Sequence, residues 1–469
     1  MPLSDESEEI LILGGGPAGL ATGWAFEQLG RAYRILEAAP VHGGNARTIT
    51  FNEFRYDTGP HRFHDKDPLV TKRVIELLNG DIHEVNAPSR ILWKGRFVDF
   101  PLKPLQALFS GGISHGIKAG WEFTRAGTAK NGAANDSLDF ASWAYSQFGR
   151  TIADQFLIPY SEKLWGVSAE NLSPDIAGRR LPGFTFRAIL KELLSGKKKT
   201  DHLEGRFLYP RLGYGQIVDA IAQSLTPGRL QCGSRVTRLK TVGEGVFAVG
   251  FKKDGKDQTI FTSAVVNTLP ITLVVRMMDP PAPERILEVT GKLLFRDVIL
   301  VALFFDQESI SEAASLYFPD PNLEFTRAHE PRNRSREMSP PGKTSLVVEF
   351  PCFEGDAIWT KDEKDLVRKL VAQLDDMGLV KASKMEAGTV TRLRKAYPVY
   401  VKDYKIRCQL ILDYLGQFKN LVTLGRGGNF FYGHVHDLIS QGFSIAEEVD
   451  KFLEASYERD AKLVSGIIS

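Results

Sequence analysis

The chain has 469 residues, with 59 Lys and Arg against 57 Asp and Glu and a formal net charge of +2. So even a balance supplies no field that would gather a phosphate backbone, and nucleic acid is not the expected partner. Apolar residues at 43% and charged residues at 25% are ordinary for a globular protein and argue against disorder or a collagen-like repeat. At roughly 150 residues per unit, the length suggests two large domains or three smaller ones.

The first residues, Met1 to Glu9, are acidic and lack the basic and apolar regions of a secretory signal. Cys232, Cys352 and Cys408 are widely spaced, with no CxxC pair. Free thiols in a reducing, cytoplasmic compartment are therefore expected. The longest apolar run, Val298 to Phe305, is far below the roughly 20 residues of a bilayer-crossing helix and reads as a buried strand.

In chain order, Glu9 to Leu13 reads as a strand, Gly14 to Gly19 as a glycine-rich turn, Leu20 to Leu29 as a helix and Tyr33 to Leu36 as a second strand. A helix is expected over Leu69 to Leu78 and a hairpin over Arg90 to Phe100. Further helices are expected over Leu102 to Phe123 and through most of Ser137 to Phe186, followed by a basic loop containing Lys197, Lys198 and Lys199. Strand patterns return at Arg229 to Leu239, Val246 to Lys252, Thr259 to Asn267, Val298 to Phe305, Ser345 to Phe350 and Leu421 to Leu424. Helices are expected at Asp365 to Met377 and Ser440 to Ala455. The interleaving implies two discontinuous domains, a dinucleotide unit of residues 1–70, 206–267 and 416–469 and a cap of residues 71–205 and 268–415.

The strongest local signal is Gly14-x-Gly16-Pro17-Ala18-Gly19 between a strand and a helix. Gly14 permits the tight turn, Gly16 lets backbone approach a pyrophosphate, and Gly19 lets helix pack on strand, while the helix N-terminus offers N–H groups to the anion. Glu37, 18 residues beyond Gly19, stands where a carboxylate accepts hydrogen bonds from a ribose and would repel a 2′-phosphate. Gly43, Gly44, Asn45 and Arg47 supply a second glycine turn with a cation, which suits an extended cofactor such as FAD. His434, His436 and Asp437 lack a further ligand at convincing spacing, so no metal is expected.

Together, Gly14 to Gly19, Glu37 and the Gly43-Gly44-x-x-Arg47 run resemble the FAD-binding start of the amine oxidase, protoporphyrinogen oxidase and phytoene desaturase superfamily. Within it, Gly59-Pro60-His61-Arg62-Phe63-His64 is similar to the GPHxFH segment of UDP-galactopyranose mutases. Tyr160-x-x-Lys163-x-Trp165-Gly166, Tyr397-Pro398 and Gly425-Arg426 resemble three further landmarks of those mutases. The resemblance implies a glutathione-reductase-like, Rossmann-type α/β FAD-binding domain with a second, mixed α+β substrate domain. It places Gly59, His61, Val236, Gly425 and Arg426 at FAD, and Tyr160, Trp165, Arg180 and Tyr397 at the substrate. On residue types alone, His61 and His64 read equally as turn histidines, and Tyr160 and Trp165 as core.

The chain departs from the mutase pattern after Arg426. Where those enzymes carry a Tyr-Arg-Tyr run it has Phe430-Phe431-Tyr432, which removes two polar groups, and Arg179 or Arg180 stands in for their loop arginine. The expected activity is therefore flavin-dependent oxidation of a small molecule. A hydride goes to flavin N5, His61 and Arg426 tune or neutralise the flavin, and Phe430 and Tyr432 help wall the substrate. A UDP-galactopyranose mutase-like isomerase is the alternative. A non-catalytic flavoprotein in peripheral contact with a membrane surface is the third reading.

Overall fold

The computed structural model describes residues 9–93, 95–100, 122, 139–178 and 206–468. The expected helix at Leu102 to Phe123, apart from Glu122, and the basic loop at Lys197 to Lys199 lie outside the described residues, as do Arg179 and Arg180.

A five-stranded parallel sheet runs in the order Leu421–Thr423, Ala264–Asn267, Ile10–Leu13, Tyr33–Leu36, Leu230–Gln231. Its central strands carry almost only Ile, Leu, Val and Ala because helices and a four-stranded sheet cover both faces. The Pro17–Leu29 helix starts with Pro at its first turn and ends on left-handed Gly30. It packs on the strand at a distance that excludes any side chain at Gly19, where an added Cβ would stand 1.9 Å from the Gly14 carbonyl oxygen.

A seven-stranded mixed sheet forms the other half, in the order Met385–Pro398, Phe295–Phe305, Thr344–Cys352, Arg327–His329, Ser315–Tyr317, Ser89–Trp93, Arg96–Phe100. Phe295–Phe305 is buried along its whole length, as the apolar run from Val298 predicts, with Arg296 and Asp297 buried ahead of that run. A third sheet, of four strands, is built on Arg235–Val242, Gly245–Lys253 and Lys256–Phe261.

Two expected strands prove to be two strands each. The expected Arg229 to Leu239 strand breaks at Gly233-Ser234, where both backbone N–H groups bond to the Glu37–Ala39 turn, so Leu230–Gln231 joins the parallel sheet and Arg235–Val242 the four-stranded one. The expected Thr259 to Asn267 strand breaks at Thr262, whose hydroxyl lies within hydrogen-bonding distance of the Glu9 and Ala264 carbonyls, 2.8 and 2.7 Å away. Val70, Val74 and Val85 pack in the same core cluster as Ile10 and Ile12, so packing around the parallel sheet continues past residue 70.

Gly19→Ala is expected to lower the melting temperature, at a cost of about 1–3 kcal/mol for overpacking against a rigid carbonyl, read by thermal unfolding of the purified protein.

Candidate active site

A cavity of about 610 Å³ lies between the carboxyl ends of the parallel strands and the seven-stranded sheet. Open α/β sheets place their ligands at strand ends of this kind. Four strand exits contribute to the wall: Gly14, Gly16, Pro17 and Ala18 after the first strand, Glu37 after the second, Thr268 to Pro270, and Gly425 to Gly427.

At this end the chain offers backbone. Gly16 caps the Pro17–Leu29 helix with no side-chain hydrogen bond, leaving the first N–H groups directed toward the cavity. An added Cβ on Gly16 would meet only the Gly44 Cα, 3.9 Å away. The Glu37 carboxylate lines the same space and accepts the Gly15 and Ala39 N–H groups, each at 2.7 Å. Left-handed Gly425 brings the C-terminal segment so close that an added Cβ would stand 2.9 Å from the Ala18 Cβ.

The middle of the cavity is held by His61 and Arg426. The His61 ring stacks on Tyr214 at 4.8 Å, and its buried Nε2 has no protein partner. Burial, with Arg426 and Arg334 nearby, pushes the imidazole down to about 3, so it is neutral at pH 7. Arg426 donates to the Ala396 and Gly433 carbonyls at 3.1 and 2.8 Å, with its guanidinium beside the Tyr397 and Tyr432 rings.

The far half is aromatic and cationic. Tyr160 stacks on Phe156 and meets Tyr317, and Trp165, Tyr397 and Tyr432 complete the ring-lined surface. Among the described residues, Arg62, Lys66, Arg327, Arg394, Lys395 and Arg426 line the cavity, against the single carboxylate Glu37. Arg327 is bound by Glu349 at 3.0 and 2.7 Å; burial pulls its pKa down, but Glu349 raises it well above the usual arginine value. His64 and His434 also face the cavity, pushed down to about 3 and about 4, chiefly by burial and then by neighbours that include Arg62 for His64 and His436 for His434.

Most of the sequence-expected residues therefore meet in one cavity: Gly14, Gly16, Pro17, Ala18, Glu37, Gly44, Asn45, Gly59, His61, Tyr160, Trp165, Tyr397, Gly425, Arg426 and Tyr432. Gly19 and Gly43 stand behind the wall, where Gly43 N–H bonds the Gly15 carbonyl. Three expected residues do not line the cavity. Arg47 does not reach the cavity, because its Nε donates to the Gly44 carbonyl at 3.0 Å and braces the turn from behind. Val236 turns its side chain into the core, 4% exposed, which leaves only its backbone for the expected contact with the cofactor. Phe430 is not a cavity residue: its backbone is left-handed, and its ring packs into the core edge-on to Phe295. Arg180 lies outside the described residues.

Sequence reading overlooked Arg62, Lys66, Tyr214, Tyr317, Arg327, Arg394 and Lys395. Single charged or aromatic residues on strands and loops carry no spacing signal, and only the fold gathers them.

The fold and the site define a dinucleotide-dependent enzyme. Residues 17–434 match the flavin containing amine oxidoreductase family, and the chain belongs to that family. Its cofactor is FAD, which the uncapped helix end, the glycine cradle and the unpartnered His61 Nε2 fit. The chain is 22% identical to protoporphyrinogen oxidase 1 of Arabidopsis thaliana over 79% of its length and 74% of that protein. To the chloroplastic protoporphyrinogen oxidase of Nicotiana tabacum it is 21% identical over 95% and 86%. The structure of reduced UDP-galactopyranose mutase superposes with a TM-score of 0.80 at 18% identity, covering 95% of this chain and 96% of that one. Among the described residues, no helix is long and apolar enough to cross a membrane and no side-chain group could hold a metal ion.

The depressed histidines make stability pH-dependent. Below about 6.5 the unfolded chain binds protons that folded His61, His64 and His434 refuse until pH falls to about 3 or 4, so stability drops as pH falls through that window. Each imidazole contributes at most roughly 1.4 kcal/mol per pH unit. Melting temperatures measured between pH 7 and 4.5 are expected to fall steadily, and His64→Gln to flatten the curve.

Proposed function

We propose that the chain is an FAD-dependent oxidoreductase that removes a hydride from a small substrate bearing anionic groups. The observation that carries this reading is the division of one cavity into a backbone-lined end that suits FAD and a far end rich in rings and cations. One cofactor diphosphate accounts for few of those cations, and the surplus suits phosphate or carboxylate on the substrate.

Bound FAD supplies the two-electron acceptor at its N5. The chain does the rest. Tyr160, Trp165, Tyr317, Tyr397 and Tyr432 hold the substrate's rings or apolar faces and displace water. Lys66 and Lys395 attract its anionic groups, and Arg327, anchored by Glu349, orients them. Neutral His61 adds a polar contact without adding charge.

A nucleotide-sugar mutase is the second reading. The position of Phe430 favours it, because a ring in the core costs the substrate site no polar contact, which weakens the sequence argument against that activity.

The two separate in one experiment. The purified protein should show a flavin spectrum that a carboxylate-bearing porphyrinogen bleaches without oxygen and that returns in air. If dithionite-reduced enzyme isomerises a UDP-sugar with no net redox, the mutase reading replaces the oxidoreductase one. A protein that neither contains nor takes up FAD would refute both.

Removing the rim charges with Lys66→Ala or Lys395→Ala is expected to raise KM severalfold with little change in kcat. The effect should shrink in high salt, as it does for charges screened by solvent.

A further inference from the structure

His61 reaches the cavity from a loop, and loops do not fix a ring by themselves. The residue that begins this loop, Asp57, is 1% exposed. Its Oδ2 accepts the Tyr209 hydroxyl at 2.5 Å, and its Oδ1 accepts the Thr48 hydroxyl at 2.7 Å and the Tyr214 backbone N–H at 3.0 Å. Tyr209 and Tyr214 are equally hidden, at 0% and 2% exposed. The carboxylate thus fastens the start of the His61 loop to a distant segment, and that segment supplies the ring on which His61 stacks. Arg334, 2% exposed, donates to the His61 carbonyl at 3.4 Å.

The imidazole's own bonding follows from this clamp. One ring nitrogen bonds the Asn45 backbone in a contact that favours the protonated ring, so it is the donating one. A neutral imidazole has a single N–H, so Nε2, which is buried with no protein partner, is an unused acceptor on a residue that lines the cavity.

We propose that Asp57 is a positioning residue for the cofactor site, fixing His61 through Tyr209 and Tyr214 so that Nε2 meets bound FAD as a hydrogen-bond acceptor. The inference rests on FAD lying in this cavity; it holds whether the enzyme is an oxidoreductase or a mutase.

The test reads the flavin itself, in holoenzyme, by its visible absorption bands and its midpoint potential. His61→Ala is expected to shift both. Asp57→Asn, which keeps the shape of the side chain, and Tyr214→Leu, which removes the stacked ring, are expected to shift them in the same direction, whereas Tyr214→Phe should leave them at wild-type values. In a His61→Ala background, Asp57→Asn should add nothing, because its effect passes through His61. An Asp57→Asn shift of equal size with and without His61 would overturn the proposal, as would unchanged bands and potential in an Asp57→Asn protein that retains FAD. A Tyr214→Phe protein shifted as far as Tyr214→Leu would also overturn it, by assigning the effect to the hydroxyl. If Asp57→Asn does not fold, Tyr209→Phe, which removes one partner of the carboxylate, takes its place with the same expected shift. A wild-type protein that binds no FAD would overturn the cofactor placement instead.

Discussion

Three stretches of backbone meet at the carboxyl ends of the parallel strands, and they meet too closely for side chains. Gly14 to Gly19, Thr268 to Pro270 and Gly425 to Gly428 touch through main-chain atoms: an added Cβ on Gly427 would stand 2.9 Å from the Pro270 nitrogen, and one on Gly428 the same distance from the Asn267 carbonyl oxygen. Side chains excluded from this junction leave N–H groups and a helix end to face the cavity, the means by which a protein holds a pyrophosphate without spending cations on it. Everything on the substrate side is positioned from there. Arg426 begins in this junction and reaches across to the Ala396 carbonyl on the edge of the second sheet.

Net charge hides this arrangement. A chain of +2 overall gathers Arg62, Lys66, Arg327, Arg394, Lys395 and Arg426 around one cavity, with Glu37 the only carboxylate among the described residues of the wall. Two of the six, Arg327 and Arg394, are ion-paired to Glu349 and Glu354 at 2.7 Å. Histidines in such surroundings stay neutral, since a further buried positive charge would be repelled and poorly solvated. They can therefore accept hydrogen bonds at pH 7, where an imidazolium could only donate them.

Legibility in the sequence followed the physics of each signal. The Phe295–Phe305 strand was readable because burial on both faces leaves an unbroken apolar run from Val298 to Phe305. Its neighbour Met385–Pro398 was not, because it is an edge strand in which Thr, Arg and Lys alternate with apolar residues. That strand also bulges opposite Asp297, whose carboxylate accepts the N–H of left-handed Lys395 at 2.6 Å. The expected strands that broke at Ser234 and Thr262 did so because backbone and side-chain hydrogen bonds redirected the chain to another sheet, which local propensity does not register.

The sequence by itself determined the cofactor end of the site, because a strand, a glycine turn, a helix and a carboxylate at fixed spacing form a local device whose parts lie within about 30 residues of one another. It also carried the likeness that brought His61, Tyr160, Trp165, Tyr397 and Arg426 together. Only the tertiary structure decided that Phe430 turns into the core, that Arg47 braces the turn at Gly44, that Asp57 clamps the His61 loop to Tyr209 and Tyr214, and that Arg327 lines the cavity. Each of those depends on contacts between segments far apart in the chain or on the handedness of one backbone torsion, and neither is written in residue type or spacing.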